Sequence, residues 1–313
     1  MRICCLGCQR PRSVRVAVHV GQARLTLRYS APLSPAEERE FVPFMHELIA
    51  LAFTTIRPFF LSGAAVLTKG DASPVTLADR DAEAAMRRLI EQRYPKHAIV
   101  GEEHGVKNGR DYRWVLDPID GTRAFITNCF LFGTLIALER WERGTYRPVL
   151  GAIGHAAVGV AIIGHQRGTT LYANDGSARR VQVRRCERLE DATVLATSHW
   201  TLHEQPAANT ALIEKIVKRA KLYRTWGDCF GYFALATGTA DLMLDPRLGY
   251  WDVAAIVPVV EGAGGVVTSW SGGDPLAEPS LIASAGPLHA IALSLLSAKT
   301  EYRRPSRQRS API

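Results

Sequence analysis

No stretch of this 313-residue chain is apolar for long enough to span a bilayer, so a helical integral membrane protein is not expected. Nor is there a disulfide framework. Of six cysteines, Cys4, Cys5 and Cys8 crowd one "CCLGC" run, while Cys129, Cys186 and Cys229 stand alone, as buried thiols in a reducing compartment do. The single C-x-x-C lacks the second ligand pair that a structural zinc site needs. Acids are missing altogether from residues 1–36, which carry six arginines, and residues 298–313 carry a net +4. Subtracting both ends from the +8 of the whole leaves −2 for residues 37–297. The folded body therefore lacks the basic stripe of a nucleic-acid binder, and such a partner is not expected. No internal repeat is found.

What is present is an ordinary globular composition, 47% apolar and 22% charged. The acid-free leader has the composition of an organellar transit peptide, and equally of an upstream extension or a flexible arm. The cytoplasm is the expected location, with an organelle as the alternative if the leader is a transit peptide. Ser34, Pro35 and Glu37 spell a capping box opening a first helix, which Pro43 should kink or delay by a turn. A polar loop, "TKGDASPVT", leads to a second helix, "ADRDAEAAMRRLIEQRY", with Ala85, Leu89 and Ile90 as its buried stripe. Of five strand-like runs that follow, the last three, "FGTLIALER", "VLGAIGHAAVGVAIIG" and "TTLYAN", read as an antiparallel meander, and beyond residue 190 helices and strands alternate. The expected class is α/β: a basic leader (1–36), an α+β half (37–185), an α/β half (186–297) and a basic tail (298–313).

Acids recur where apolar runs end. Glu102 and Glu103 close "AIVGEE", Asp117 and Asp120 close "WVLDPID", Asp252 opens the helix of "YWDVAA", and Asp79 opens the second helix. Asp at a helix start is commonly a cap, and that alone accounts for Asp79 or Asp252. It does not account for Asp117. A strand end followed by a proline-stiffened turn can aim Asp117 and Asp120 at one point with a backbone carbonyl between them. Such an all-oxygen set suits a hard divalent cation such as Mg²⁺. Gly121-Thr122 opens another helix, whose free N–H groups make an anion site beside the acids. Metal ligands next to an anion site point to phosphate chemistry.

These residues resemble the inositol monophosphatase superfamily, the Mg²⁺-dependent, lithium-sensitive phosphomonoesterases. The resemblance is carried by "GEEHG", "WVLDPIDGTRAF" and "WDVAAIVPVVEGAGG", in the family's order, over roughly residues 40–297. It implies a layered α-β-α-β-α sandwich, a small phosphate monoester as substrate, and a homodimer. It also implies that Glu102, Asp117 and the Ile119 carbonyl hold a first Mg²⁺ and that Asp117, Asp120 and Asp252 hold a second, with Glu102 and Glu103 bordering a weaker third site. Gly121 and Thr122 would hold the phosphate through backbone N–H groups. Thr122, hydrogen-bonded to Asp79, would with Glu102 orient and deprotonate a metal-activated water, and Lys69 would be a supporting cation.

Within the superfamily the wording "DASPVTLADRDAE", Arg123 in "DPIDGTRAFI" and above all "WGDCFGY" resemble the histidinol-phosphatase branch. The resemblance implies hydrolysis of L-histidinol phosphate in histidine biosynthesis, with Asp228, Asp245 and Arg123 as substrate contacts. Acids suit the cationic amine and imidazole of that alcohol. Asp228 could equally cap the following helix, and Phe230 and Tyr232 are expected as core aromatics. The rival substrates are inositol 1-phosphate and other small polyol phosphates, and a more remote alternative is a regulatory or RNA-associated role. Asn128 and Phe130 depart from the branch's usual Gly and Pro, in a loop beside the site.

Overall fold

The computed structural model describes residues 31–61, 66–68, 74–199, 207–278 and 280–297, so the leader, Lys69 and the C-terminal tail lie outside the described residues. Helix α1 (Pro35–Ile56) opens on the expected reciprocal cap: Glu37 N–H donates to Ser34 Oγ at 3.2 Å and Ser34 N–H to Glu37 Oε2 at 2.5 Å. Pro43 does not delay it. The helix runs continuously from Pro35, with Phe41, Phe44, Met45 and Leu48 buried around the proline to offset one lost hydrogen bond. The ends of the polar segment expected as loop pair as a short ribbon, β1 (Val66–Thr68) antiparallel to β2 (Pro74–Thr76). Helix α2 (Leu77–Arg93) follows, and its buried stripe contains two acids, Asp79 and Glu83, beside Ala82, Met86 and Ile90.

The antiparallel meander is present. Strands β3 (Ala98–Gly101), β4 (Gly105–Lys107), β5 (Tyr112–Asp120), β6 (Gly133–Glu142), β7 (Thr145–His155), β8 (Val160–His165), β9 (Gly168–Ala173) and β10 (Ala178–Val181) form one sheet in the order β10-β9-β8-β7-β6-β5-β3-β4. Only β3 and β5 are parallel among these neighbours. Helix α3 (Thr122–Ile126) links β5 to β6. A second, mixed sheet contains β11 (Thr193–Ala196), β12 (Leu222–Arg224), β13 (Leu242–Asp245), β14 (Val266–Thr268) and β15 (Leu281–Ser284), in the order β12-β11-β13-β15-β14. Helices α4 (Ala207–Arg219), α5 (Asp228–Ala236), α6 (Tyr250–Gly262) and α7 (Gly286–Ser297), with two single-turn 3₁₀ helices (Ala156–Val158 and Leu189–Asp191), complete the regular structure among the described residues.

Strand parity sorts these elements into five layers. Trp114 and Leu116 of β5 turn to one face of the first sheet, where they pack with Phe44, Leu48 and Met86 of α1 and α2. Val115 turns to the other face, joining Tyr232 of α5, Val253 and Ile256 of α6, and Met243 and Ala283 of the second sheet. Leu242, Leu244 and Ile282 face outward from that sheet onto Ile216 of α4 and Leu288 of α7. The result is the α-β-α-β-α sandwich. Because α6 lies between two sheets it is apolar all round, with Val253 to Val260 buried without interruption.

The α6 backbone comes close to the first sheet. A β-carbon built on Gly151 of β7 would stand 2.2 Å from the Ala255 carbonyl oxygen. Gly151→Ala should therefore push α6 off the sheet and destabilise by about 1–3 kcal/mol, the usual cost of overpacking. Thermal unfolding should register this as a drop of about 2–4 °C per kcal/mol.

Candidate active site

Strand β5 does not end at Asp117 as expected. It runs through Pro118 and Ile119 to Asp120, and its pairing with β6 slips between Asp117 and Asp120. The "turn" is thus a bulge within a strand, which is where proline is tolerated inside a sheet. The slip has a geometric consequence. Residues three apart on a regular strand point to opposite faces, and one extra residue resets the alternation so that both acids can share a side. Asp117 Oδ1 accepts Ile119 N–H at 3.1 Å, and the Pro118 carbonyl accepts the buried Thr134 hydroxyl at 2.8 Å.

Helix α6 brings the third acid. Oxygens of Asp117, Asp120 and Asp252 all lie within 4.8 Å of one another, with Asp117 and Asp252 buried and Asp120 partly so. Each is oriented by a backbone N–H: Ile119 on Asp117, Cys229 on Asp120, and Gly249 on Asp252 at 2.7 Å. Glu102 joins from the turn after β3, where its N–H donates to the Leu116 carbonyl of β5 at 3.3 Å. Asp79, buried in the first turn of α2, completes the group.

The electrostatic result is severe crowding. Burial, followed by the charges of Glu102, Asp120, Asp252 and Asp79, pushes the Asp117 carboxyl well above the usual carboxylate range. Burial and Asp252 push Asp120 up to about 8, against the Cys229 N–H, and burial pushes Asp252 up to about 7. Five acids converge, and the side chains grouped around Asp117 offer oxygen ligands throughout. That chemistry fits a hard divalent cation.

A family model described as the inositol monophosphatase family matches residues 39–301. The chain belongs to the inositol monophosphatase family. The bifunctional phosphatase IMPL2, chloroplastic, of Arabidopsis thaliana is 38% identical over 265 residues, covering 83% of this chain and 73% of that protein. A histidinol-phosphatase of Chlorobaculum parvum is 36% identical over 236 residues, covering 74% of this chain and 86% of that one. A solved structure of an inositol monophosphatase from Zymomonas mobilis aligns with a TM-score of 0.72 at 35% identity, over 85% of this chain and all of that one. As a member of this family the protein is a metal-dependent phosphomonoesterase, and the acid cluster is its candidate metal centre.

Around that centre, Gly121 caps α3 in the left-handed region at φ 80°. The Thr122 hydroxyl donates to the Ile119 carbonyl at 3.1 Å. Asp228 is the first residue of α5 and the cap position is Gly227, which has no side chain, so Asp228 is not the cap. Instead Asp228 adopts φ 48°, and its carboxylate lies over Gly121, where a β-carbon would stand 3.1 Å from Oδ2. Burial, then Asp120 and Asp245, push Asp228 up to about 8, while exposed Arg123 opposes the rise. Asp245 is 1% exposed, and its two oxygens accept Thr197 N–H at 3.2 Å and the Tyr232 hydroxyl at 2.8 Å. Thr197 in turn accepts Asp228 N–H on its hydroxyl at 2.9 Å. Tyr232 is fully buried, and Phe230 is half-buried against the same core.

The family departures at Asn128 and Phe130 have a conformational reading. Asn128 sits at φ 59°, where asparagine is the side chain that best replaces glycine, and its amide oxygen accepts Leu61 N–H at 3.1 Å. Phe130 packs edge-on against Phe60 at 5.3 Å. Two supporting residues escaped the sequence reading. Glu83 accepts Glu103 N–H at 2.7 Å and His104 N–H at 3.1 Å, which shapes the turn carrying Glu102 and Glu103, and Arg87 neutralises it at 2.6 Å. The available signal was its place four residues after Asp79, on the apolar stripe of α2. Thr197, by contrast, carries no motif.

For Asp120 and Asp252 the folded protein binds protons more tightly than the unfolded chain, whose reference is 3.8. The sign follows from linkage. Their contribution to the stability of the metal-free protein is full below about pH 4 and is lost as pH rises toward about 8. A divalent cation takes the place of those protons. The Tm increase produced by saturating Mg²⁺ should accordingly be larger at about pH 8 than at about pH 5, as differential scanning fluorimetry would read directly.

Proposed function

We propose that the protein hydrolyses L-histidinol phosphate to L-histidinol and phosphate, with two Mg²⁺ at Glu102, Asp117, the Ile119 carbonyl, Asp120 and Asp252. The observation that carries the substrate choice is Asp228. It is a partly buried acid that caps no helix, in a left-handed conformation, standing over the glycine beside the metal ligands. Backbone in that region costs free energy and persists at sites of function. The histidinol-phosphatase name of the Chlorobaculum relative supports the same choice.

Bound Mg²⁺ would neutralise the crowded carboxylates and supply the Lewis acidity that phosphoryl transfer needs. The chain's own residues have the following parts. Glu102, on the turn set by Glu83, and Asp79, on α2, accept the proton of the attacking water. The Thr122 hydroxyl orients that water once its bond to the Ile119 carbonyl is released, and this carbonyl is the same oxygen assigned to the cation. Gly121 and Thr122 N–H groups seat the phosphate, and Glu103 borders a third, weaker cation site. Asp228, charged once cations offset the neighbouring Asp120 that helps to raise it, meets the cationic end of the alcohol with Arg123 at its rim. Asp245 supports that wall from behind, through Thr197.

A panel of phosphate esters with Mg²⁺, with and without lithium, tests the substrate. Release of phosphate from histidinol phosphate should exceed that from inositol 1-phosphate, and an equal or lower rate overturns the choice. Asp228→Asn should raise KM for histidinol phosphate about tenfold, as loss of a charge-assisted contact does, with little change for p-nitrophenyl phosphate. Asp117→Asn should cut turnover at least about 100-fold, the upper end of what even a supporting contact to a metal ligand contributes. Activity near wild type at saturating Mg²⁺ would refute the ligand assignment.

A further inference from the structure

Away from the acid cluster, Arg113, Glu139 and Tyr250 close a ring of hydrogen bonds that the chemistry above does not use. Arg113 Nε donates to Glu139 Oε2 at 2.5 Å, Arg113 Nη2 donates to the Tyr250 hydroxyl at 2.6 Å, and that hydroxyl donates to Glu139 Oε1. Glu139 is fully buried, so its charge is tolerable only because both oxygens are engaged. Arg113 and Glu139 are cross-strand partners on β5 and β6. Tyr250 is the first residue of α6, two positions before Asp252.

We propose that Arg113, Glu139 and Tyr250 are positioning residues that set the place of Asp252 relative to Asp117, and so the affinity of the cation site. Alternation puts Arg113, Val115 and Asp117 on one face of β5, with Arg113 about 13 Å back along the strand from Asp117. Val115 packs in the same core layer as α6, so this is the face on which that helix lies. The strand that supplies Asp117 thus also holds the first residue of the helix that supplies Asp252. The helix start needs such an anchor. Its cap, Gly249, has no side chain, and the bond across the cap runs from Gly249 N–H to Asp252 itself. If α6 frays or turns at Tyr250, Asp252 moves with it.

The inference rests on the assignment of Asp252 as a metal ligand, and the variant Tyr250→Phe tests it with little risk to folding. It removes one oxygen at the wall of a cavity of about 370 Å³ lined by Arg113, Trp141, Tyr146, Arg147, Tyr250 and Asp274, so no new buried void is opened. Mn²⁺ binding is measured by the EPR signal of the free ion, on the full chain, beside Tm and steady-state kinetics with p-nitrophenyl phosphate. The expected result is an Mn²⁺ Kd raised about tenfold, as for other contacts that support metal ligands, with KM for the ester unchanged and kcat recovering at saturating Mg²⁺. Glu139→Gln, which keeps the shape and one acceptor, should give a smaller shift in the same direction. A lower Tm with an Mn²⁺ Kd within twofold of wild type would mean that the ring is a structural tie only, and would overturn the proposal while leaving the phosphatase reading intact. Wild-type protein that binds no Mn²⁺ would overturn both.

Discussion

Mutual repulsion among buried carboxylates is the constraint around which the rest of this molecule is arranged. Asp117, Asp120, Asp252, Glu102 and Asp79 arrive from β5, α6, the turn after β3, and α2, so no single element makes the site. Charges so close together in a poorly solvated place favour separation, and the fold must hold them against that tendency. It does so with backbone rather than with basic side chains. The N–H groups of Ile119, Cys229 and Gly249 each take one oxygen of one acid. Two of these donors lie where α5 and α6 begin, so the positive ends of both helices bear on the cluster. Among the described residues the outcome is an arrangement held in shape yet short of positive charge, which suits a small, highly charged cation.

The elements that feed this site were legible in the sequence to different degrees. Helix α1 announced itself by its capping box, and the meander and the later helix–strand alternation announced the layers, because local rules govern caps and periodicity. The run "DPID" marked the clustered acids but hid their geometry. A proline after an apolar stretch reads as the end of a strand, and only pairing with β6, fixed by residues beyond 130, shows that the strand continues through a bulge. The two-stranded ribbon around residues 66–76 was read as loop for a similar reason: three-residue strands have too little periodicity to register.

Supporting residues were the least visible. Glu83, Thr134 and Thr197 act through hydrogen bonds to backbone groups distant in sequence, and nothing in their own neighbourhoods specifies those partners. Asp228 was legible as an acid in an unusual motif, but its two readings differed by one residue of helix start, which periodicity cannot resolve. Asn128 shows the reverse case. It looked like a departure from the family's glycine, and the left-handed backbone there makes it a substitution of the mildest kind.

The central helical layer, which packs on both sheets at once, has a consequence for assembly. Asp117 belongs to the first sheet, while Asp252 heads a helix whose other side rests on the second. A cation shared by these two acids would close a loop of about 135 residues, and the entropy saved by such a closure grows with the logarithm of loop length. In mechanical terms such an ion would be a removable bolt through the seam between the layers. The pieces it would join must already be docked before the bolt could be seated, and once seated it would resist their parting.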